Sequence, residues 1–276
     1  MILFILLIII ILLLLISYKE FFKKKPNIFL YWENKLNEKK SNYINLCYKT
    51  VLKHCNKSFN IHLVNEKNIY KYLPNFKINL TKNLSIPQKT DYIRLLLLYK
   101  YGGIWLDSDI IVMNDLYPLL KHLNKFDFIG AGCYNKKICK CGYTKPGNWF
   151  LCSKPNTIFI KDCIIDIENI LKSKKVIKYF DIGMKILWKN IKKHKSNGWD
   201  YFHIKSQCLE RDFNNKKITN KRLLSNEEID NNCNPYFIPI YNTAPGFPKW
   251  FKIMSEDNIL NSNFLISKLF KKSLAK

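Results

Sequence analysis

The sequence predicts an α/β protein with a Rossmann-like, mixed but mainly parallel sheet flanked by helices, behind an N-terminal transmembrane helix. Three observations carry that expectation. Strand-like apolar runs alternate with helix-length periodic segments up to Asp109, the order that yields parallel strands joined by right-handed crossovers. Ile104-Trp105-Leu106, set between a glycine pair and two aspartates, reads as a short buried strand. Met1 to Ile16 is an unbroken apolar run.

A chain of 276 residues holds one sizeable core plus an anchor. The expected division is an anchor helix over 1–22, a basic linker over 23–26 and one globular domain over 27–276. A hydrophobic share of 47% with 14% aromatics excludes a disordered chain. The net charge of +25 raises nucleic acid as a partner, yet Arg94, Arg211 and Arg222 are the only arginines. Phosphate clamps and groove readers favour the arginine fork, and no nucleic-acid-binding motif is present, so no nucleic-acid partner is expected. Nine cysteines cannot all pair within the chain. Cys133, Cys139, Cys141 and Cys152 cluster without paired C-x₂-C spacing, which leaves zinc weighed against buried thiols or one or two disulfides.

As a helix, Met1–Ile16 spans about 24 Å, short of a hydrocarbon core of about 30 Å. Tyr18, Phe21 and Phe22 extend it into the interface while Lys19 snorkels. ISYKEFF offers no small-x-small cleavage site, so an uncleaved single-pass anchor is expected, in a Golgi/ER-type or a viral membrane. Lys19 and Lys23 to Lys25 would keep the C-terminal side cytosolic. The sequons at Asn56, Asn79 and Asn83 fit a lumenal domain, so the two signals oppose each other.

Pro26 opens the globular part, and Asn27–Trp32 reads as a buried first strand. Trp32 stands at its carboxyl end, where ligands gather in open α/β sheets. It is placed either to stack on a nucleotide base or to fill the core. Ser41–Cys55 is helical, with Ile44, Tyr48, Val51 and Leu52 along one stripe. Asn60–Val64 alternates like a strand, and Glu66–Leu73 is a short helix ending at Pro74. From Ser85 to Tyr101 a helix is signalled by a Ser85–Gln88 capping box and by Pro87 in the first turn. Gly102-Gly103 stops it.

Beyond Asp109, Ile110–Met113 continues extended, Asp115–Leu123 looks like a short helix and Phe126–Ala131 a strand. Tyr134–Pro146 is a basic, glycine- and cysteine-bearing loop suited to a flap. Asn148–Cys152 is the next strand, followed by helices over Asn156–Leu171 and Phe180–His194. Gly198–Ile204 is aromatic enough to lie against the core. Tyr236–Trp250 reads as a lid or a packed irregular tail. Leu260–Lys276 reads as an amphipathic lysine-rich end, solvated or resting on anionic lipid.

Two polar pairs interrupt the apolar stretch around the glycines. Asp91 and Arg94, at i and i+3, share a helix face. Asp107 and Asp109, at i and i+2, share a face of an extended strand end. Two carboxylates aimed one way repel unless a cation or proton lies between them. An all-oxygen site suits Mg²⁺ or Mn²⁺, held by one or two carboxylates while substrate phosphates complete the shell. A solvated acidic turn is the alternative.

This D-x-x-R followed by Y-G-G-I-W-L-D-S-D resembles the sugar-binding D-x-D region of glycosyltransferase family 32. Relatives of that family include capsular polysaccharide synthesis proteins, yeast initiating mannosyltransferases and large glucosylating toxins. The likeness is strong over about Ile86–Leu116, fainter over Pro26–Asn68 and poor after Phe159. It implies a GT-A fold, a UDP- or GDP-sugar donor, Mn²⁺ (or Mg²⁺), and hexose transfer with retention to a glycan, lipid or protein acceptor. By that resemblance Asp91 and Arg94 hold donor-sugar hydroxyls, and Asp107 contacts ribose and sugar. Asp109, with Asp107, binds the metal on the diphosphate, and Asn148 lies near the donor sugar. Trp32 stacks on the base, and Gly102 and Gly103 join Asp107 on the nucleotide side. Arg94, Asp107 and Asp109 form the expected catalytic set. Fold relatives supply a further metal or phosphate ligand from the C-terminal part, for which Asp200 and His203 are candidates, each more readily structural. Glu33-Asn34 departs from the glycine that often follows the family's tryptophan.

Two other classes compete. I-W-L-D-S-D has the shape of a haloacid-dehalogenase first motif with Asp107 as nucleophile, but Ile110-Ile111 stands where that family uses a small pair. A membrane-tethered sugar-binding protein without turnover would not need Asp91, Arg94, Asp107 and Asp109 together.

Overall fold

Strand β1 (Asn27–Tyr31) buries four of its five side chains and lies inside the sheet. The computed structural model describes residues 25–34, 39–132, 146–173, 176–194, 199–203, 220–229, 235–240 and 247–275. The predicted anchor and residues 23–24 of the linker lie outside them, as do the flap over 134–145 and Cys133, Cys139 and Cys141. Among the described residues no helix is long and apolar enough to cross a membrane.

After β1 come α1 (Asn42–Cys55), β2 (Asn60–Val64), the short α2 (Ile69–Tyr72) and α3 (Ile78–Thr81), then α4 (Ile86–Tyr101) and β3 (Gly103–Leu106). The chain continues through β4 (Ile110–Val112), a 3₁₀ helix (Tyr117–Asn124), β5 (Phe128–Gly132) and β6 (Pro146–Ser153). Next are α5 (Ile158–Lys172), α6 (Met184–Lys193), β7 (Trp199–His203), α7 (Asn220–Leu223) and β8 (Phe237–Pro239). The last helices are α8 (Lys249–Ile253), α9 (Glu256–Asn261) and α10 (Leu265–Leu274).

The main sheet runs β2-β1-β3-β6-β5-β7. β1 is parallel to β2 and β3, and β5 to β7; β6 alone reverses, antiparallel to β3 and β5. The mixed, mainly parallel sheet expected from the strand–helix order is therefore present. A second, two-stranded antiparallel sheet pairs β4 with β8. Helix α4 covers one face of the main sheet together with α5 and α6, through Tyr92, Ile93, Leu95, Leu97, Leu98, Phe159 and Ile160. On the other face Val51, Phe59, Leu116 and Leu119 pack against Ile28, Leu30, Ile104 and Leu106.

The start of α4 is built as its sequence dictates. Gln88 Oε1 accepts from the Ser85 backbone N–H at 3.0 Å and from its hydroxyl at 2.8 Å. Its end needs both glycines. Gly102 (φ +63°) and Gly103 (φ +95°) take left-handed geometry, and a Cβ would fall 2.7 Å from Pro155 Cδ at the first and 2.3 Å from the Asn27 carbonyl oxygen at the second. The tight reversal lets β3 lie directly beside β1.

Several expectations are corrected. The aspartates do not extend a strand: β3 ends at Leu106, and Ser108 and Asp109 form a turn that carries the chain from the main sheet into β4. The period-two argument for a shared face therefore fails. The segment after Asp115 is a 3₁₀ helix beginning only at Tyr117. The helix expected from Phe180 begins at Met184, because residues 179–183 are a turn. The C-terminal end is docked: Leu265, Ile266, Leu269 and Phe270 are buried in a third cluster with Ile44, Cys47, Ile111 and Ile238. Four apolar side chains at i, i+1, i+4 and i+5 make a core-facing stripe, which outweighs the lysines between them. Cys47, Cys55, Cys152 and Cys163 are free buried thiols.

Candidate active site

The site lies at the carboxyl end of β1 and β3, where the main sheet stops and the chain turns away. Since Phe29 is level with Trp105, Tyr31 and Asp107 leave their strands at the same height. The Ser108 hydroxyl donates to the Tyr31 carbonyl at 2.9 Å and stitches the two exits together. Across the strand pair, the Asp107 N–H donates to the Trp149 carbonyl at 2.9 Å, bringing the start of β6 to the same spot.

Arg94 is the centre. It is buried on α4, and its guanidinium lies 5.1 Å from the Trp105 ring centroid. Nη2 is 3.0 Å from Asp91 Oδ1 and 3.4 Å from Asp107 Oδ1. Nη1 donates to the Asn148 carbonyl, and Nε to the Thr90 carbonyl at 3.4 Å. The fork thus ties together helix, strand end and neighbouring strand, which a lysine ammonium cannot do. Asn148 closes the ring, its Nδ2 donating to Asp91 Oδ1 at 2.6 Å. Trp105 Nε1 donates to Asp107 Oδ1 at 2.8 Å.

The charge balance is uneven. Asp91 and Asp107 share one guanidinium. Burial raises the Asp91 carboxyl to about 7, against the pull of Arg94 and with the Asp107 charge adding to the rise. Burial likewise raises Asp107, opposed by Arg94 and by the Trp105 hydrogen bond. Asp109 lies on the α1 side: burial raises the Tyr43 phenol and the Cys47 thiol, and the Asp109 charge raises both further. Two carboxylates on one guanidinium leave room for either a proton or a further cation between them. The site's donors are oxygens only, the set that suits Mg²⁺ or Mn²⁺. Among the described residues no three His, Cys, Asp or Glu side chains are grouped to hold an ion by themselves. Asp107 and Asp109 would give such an ion at most two ligands and leave the others to substrate phosphates.

The predicted site residues divide. Asp91, Arg94, Asp107 and Asn148 are linked by direct contacts. Asp109 is two residues further along the same turn. Trp32 lies just past the carboxyl end of β1, half-buried against the third core cluster, with Nε1 donating to Asn34 Oδ1 at 2.8 Å. Its ring is 5.9 Å from the Lys40 ammonium. Gly102 and Gly103 stand at the opposite end of β3 from Asp107, and close backbone packing accounts for both. Asp200 and His203 lie on β7, at the far edge of the sheet.

One residue escaped the sequence reading. Gly183, at the start of α6, packs so closely that a Cβ there would lie 2.3 Å from Asp91 Oδ2 and 2.9 Å from Asn148 Nδ2. Nothing in D-I-G-M marks it in advance, because the constraint comes from two residues far away in the sequence.

Fold and site together define an α/β protein with a buried carboxylate–guanidinium cluster at the carboxyl edge of parallel strands. Residues 14–230 match the family described as capsular polysaccharide synthesis protein, and the chain belongs to that family. No curated protein sequence matches it. Among solved structures, the PaToxG glycosyltransferase is similar at 16% identity, over 62% of this chain and 70% of that one, with a TM-score of 0.41. The glycosyltransferase GlyE of Streptococcus pneumoniae TIGR4 is similar at 13% identity over 92% of this chain, which spans only 61% of GlyE, with a TM-score of 0.49. The galactosyltransferase LgtC in complex with donor and acceptor sugar analogs is similar at 14% identity, over 63% and 72% of the two chains, with a TM-score of 0.36. At these scores the likenesses carry no weight of their own.

Proposed function

We propose that the chain is a GT-A-type glycosyltransferase. It transfers a hexosyl group with retention from a UDP- or GDP-sugar to a glycan, lipid or protein acceptor and depends on Mn²⁺ or Mg²⁺. The observation that carries this reading is the Arg94 fork between Asp91 and Asp107, closed by Asn148. It presents acceptors and donors in fixed positions to a ligand rich in hydroxyls. Membership of a capsular polysaccharide synthesis family supports a carbohydrate substrate.

In this reading Asp91, Arg94 and Asn148 hold the donor sugar so that one face meets the acceptor hydroxyl. Asp107 contacts ribose and sugar, and with Asp109 holds the metal; Trp32 stacks on the base. The bound metal supplies neutralisation of the departing diphosphate, which is worth more in the transition state than in the ground state. Arg94 cannot drift, because three of its nitrogens are engaged. Residues 1–22 tether the enzyme to a Golgi/ER-type or viral membrane.

The test is a thermal-shift panel of UDP- and GDP-sugars with and without Mn²⁺, in which a true donor raises the melting temperature by mass action. Asp109→Ala should then abolish both transfer and donor hydrolysis while the melting temperature without ligand is kept. Turnover at the wild-type rate in that variant removes the metal role.

A further inference from the structure

The stretch between α5 and α6 is pinned beside the site at both ends. Gln88 Nε2 donates to the Ile177 carbonyl at 3.2 Å and the Lys178 carbonyl at 3.3 Å. At the other end Gly183 stands against Asp91 and Asn148. Gln88 and Asp91 are one helical turn apart, so residues 177–183 run alongside a single turn of α4, next to the carboxylate that anchors Arg94. The stretch has internal order. The Asp181 N–H donates to the Lys178 carbonyl at 3.0 Å, and the Lys178 N–H returns to Asp181 Oδ2 at 2.8 Å. Ile182 is fully buried and nails the turn to the core.

On this fixed turn Tyr179 and Phe180 are 50% and 48% exposed, their rings perpendicular with centroids 4.9 Å apart. Large exposed aromatic rings on a turn pinned at both ends mark a contact site more than a folding need. We propose that Tyr179 and Phe180 form the platform on which a pyranose ring of the acceptor glycan stacks. This proposal rests on the sugar-transfer reading and names the acceptor of that same site.

The chemistry favours a sugar over a lipid chain. A pyranose has C–H groups on its flat faces and hydroxyls on its rim. The C–H face meets the electron-rich face of an aromatic ring, while the rim needs hydrogen-bond partners. Lys178 and Asp181 flank the two residues in sequence, and Lys185 Nζ lies 2.7 Å from Asp181 Oδ1, so polar partners of this kind stand on the same stretch of chain. A lipid tail would ask for unbroken apolar surface, which these charges interrupt.

The experiment is saturation-transfer NMR on the full chain, with methyl hexopyranosides and hexose disaccharides as probes, beside the thermal shift by UDP- and GDP-sugars. At least one disaccharide should receive saturation from the wild-type protein. Tyr179→Ala with Phe180→Ala should weaken that binding by about tenfold or more, while Tyr179→Trp keeps it. The nucleotide-sugar shift should be the same in all variants. Undiminished disaccharide binding in the double variant, or none in the wild type, overturns the platform. Binding of octyl glycosides alone also overturns it, in favour of a lipid. A platform-dependent disaccharide signal without any nucleotide-sugar shift keeps the platform and sinks the transfer reading instead.

Discussion

Two acid–base clusters lie toward opposite ends of α6, and their carboxylates behave in opposite ways. Near the start of α6, Asp91 is buried against Gly183 and shares one guanidinium with the part-buried Asp107, and burial raises both carboxyls. Further along, Asp162 and Asp166 of α5 face the exposed ammonium groups of Lys189 and Lys193, with the buried His194 ring also on Asp162. There the Lys193 hydrogen bond lowers Asp162 against a small burial effect. At Asp166, burial alone would raise the carboxyl, but hydrogen bonds from Lys189 and Asn190 outweigh it. Cation supply and water access set the sign. In the first cluster two carboxylates share one guanidinium, and burial wins; in the second each carboxylate has its own ammonium partner, and the hydrogen bonds win.

The harshest way to break the comparison is Arg94→Ala. It leaves Asp91 buried, and Asp107 part-buried, without their cation, and removing one partner of a buried pair such as Asp91–Arg94 costs about 3–5 kcal/mol. Urea unfolding should show the loss directly, and Arg94→Lys should recover only part of it. Gly183→Ala comes next. A Cβ there would collide with Asp91 and Asn148, at a cost of about 1–3 kcal/mol. In an Asp91→Ala background that cost should shrink, a coupling that a double-mutant cycle measures.

The pH dependence separates the clusters without changing their packing. Asp91 keeps its proton in the folded state up to about pH 7, while the unfolded chain releases it near 3.8. Between those values the native state binds more protons, so the Asp91 contribution to stability falls as pH rises through that window and levels off above it. Asp91→Asn should flatten that slope in urea melts taken across the window. Asp162 and Asp166, with lowered values, have the opposite sign. Their stabilisation is present above the ordinary carboxylate range and is lost only as pH drops through their depressed values.

How much of this was legible depended on whether the controlling contact was local. The Ser85–Gln88 box, the glycine stop and the β1, β2 and β3 strands follow from neighbours in sequence, and all were readable. The D-x-x-R and D-S-D motifs flagged Asp91, Arg94 and Asp107 because helix spacing and a strand end are local patterns. Asn148 came only through the family resemblance. Gly183 was invisible, since its constraint is an approach between α6 and α4. The exit of Ser108-Asp109 from the sheet was missed because β8, far along the chain, captures β4. The docking of α10 was missed when its lysines were weighed above the Leu265–Ile266–Leu269–Phe270 stripe.

The smallest effect is the sharpest control. Lys189→Ala removes the 2.8 Å contact to Asp166 Oδ1, but the lysine side chain is 64% exposed. Asp166 would keep a 2.8 Å hydrogen bond from Asn190 Nδ2, so no carboxylate is stranded. Exposed pairs of this kind contribute about 0–1 kcal/mol, and salt screens them. Urea melts of Lys189→Ala should therefore lie close to wild type, with the difference vanishing at high salt, while the Arg94→Ala deficit persists there. A salt-resistant loss at Lys189 as large as that at Arg94 would mean that burial is not what divides the two clusters.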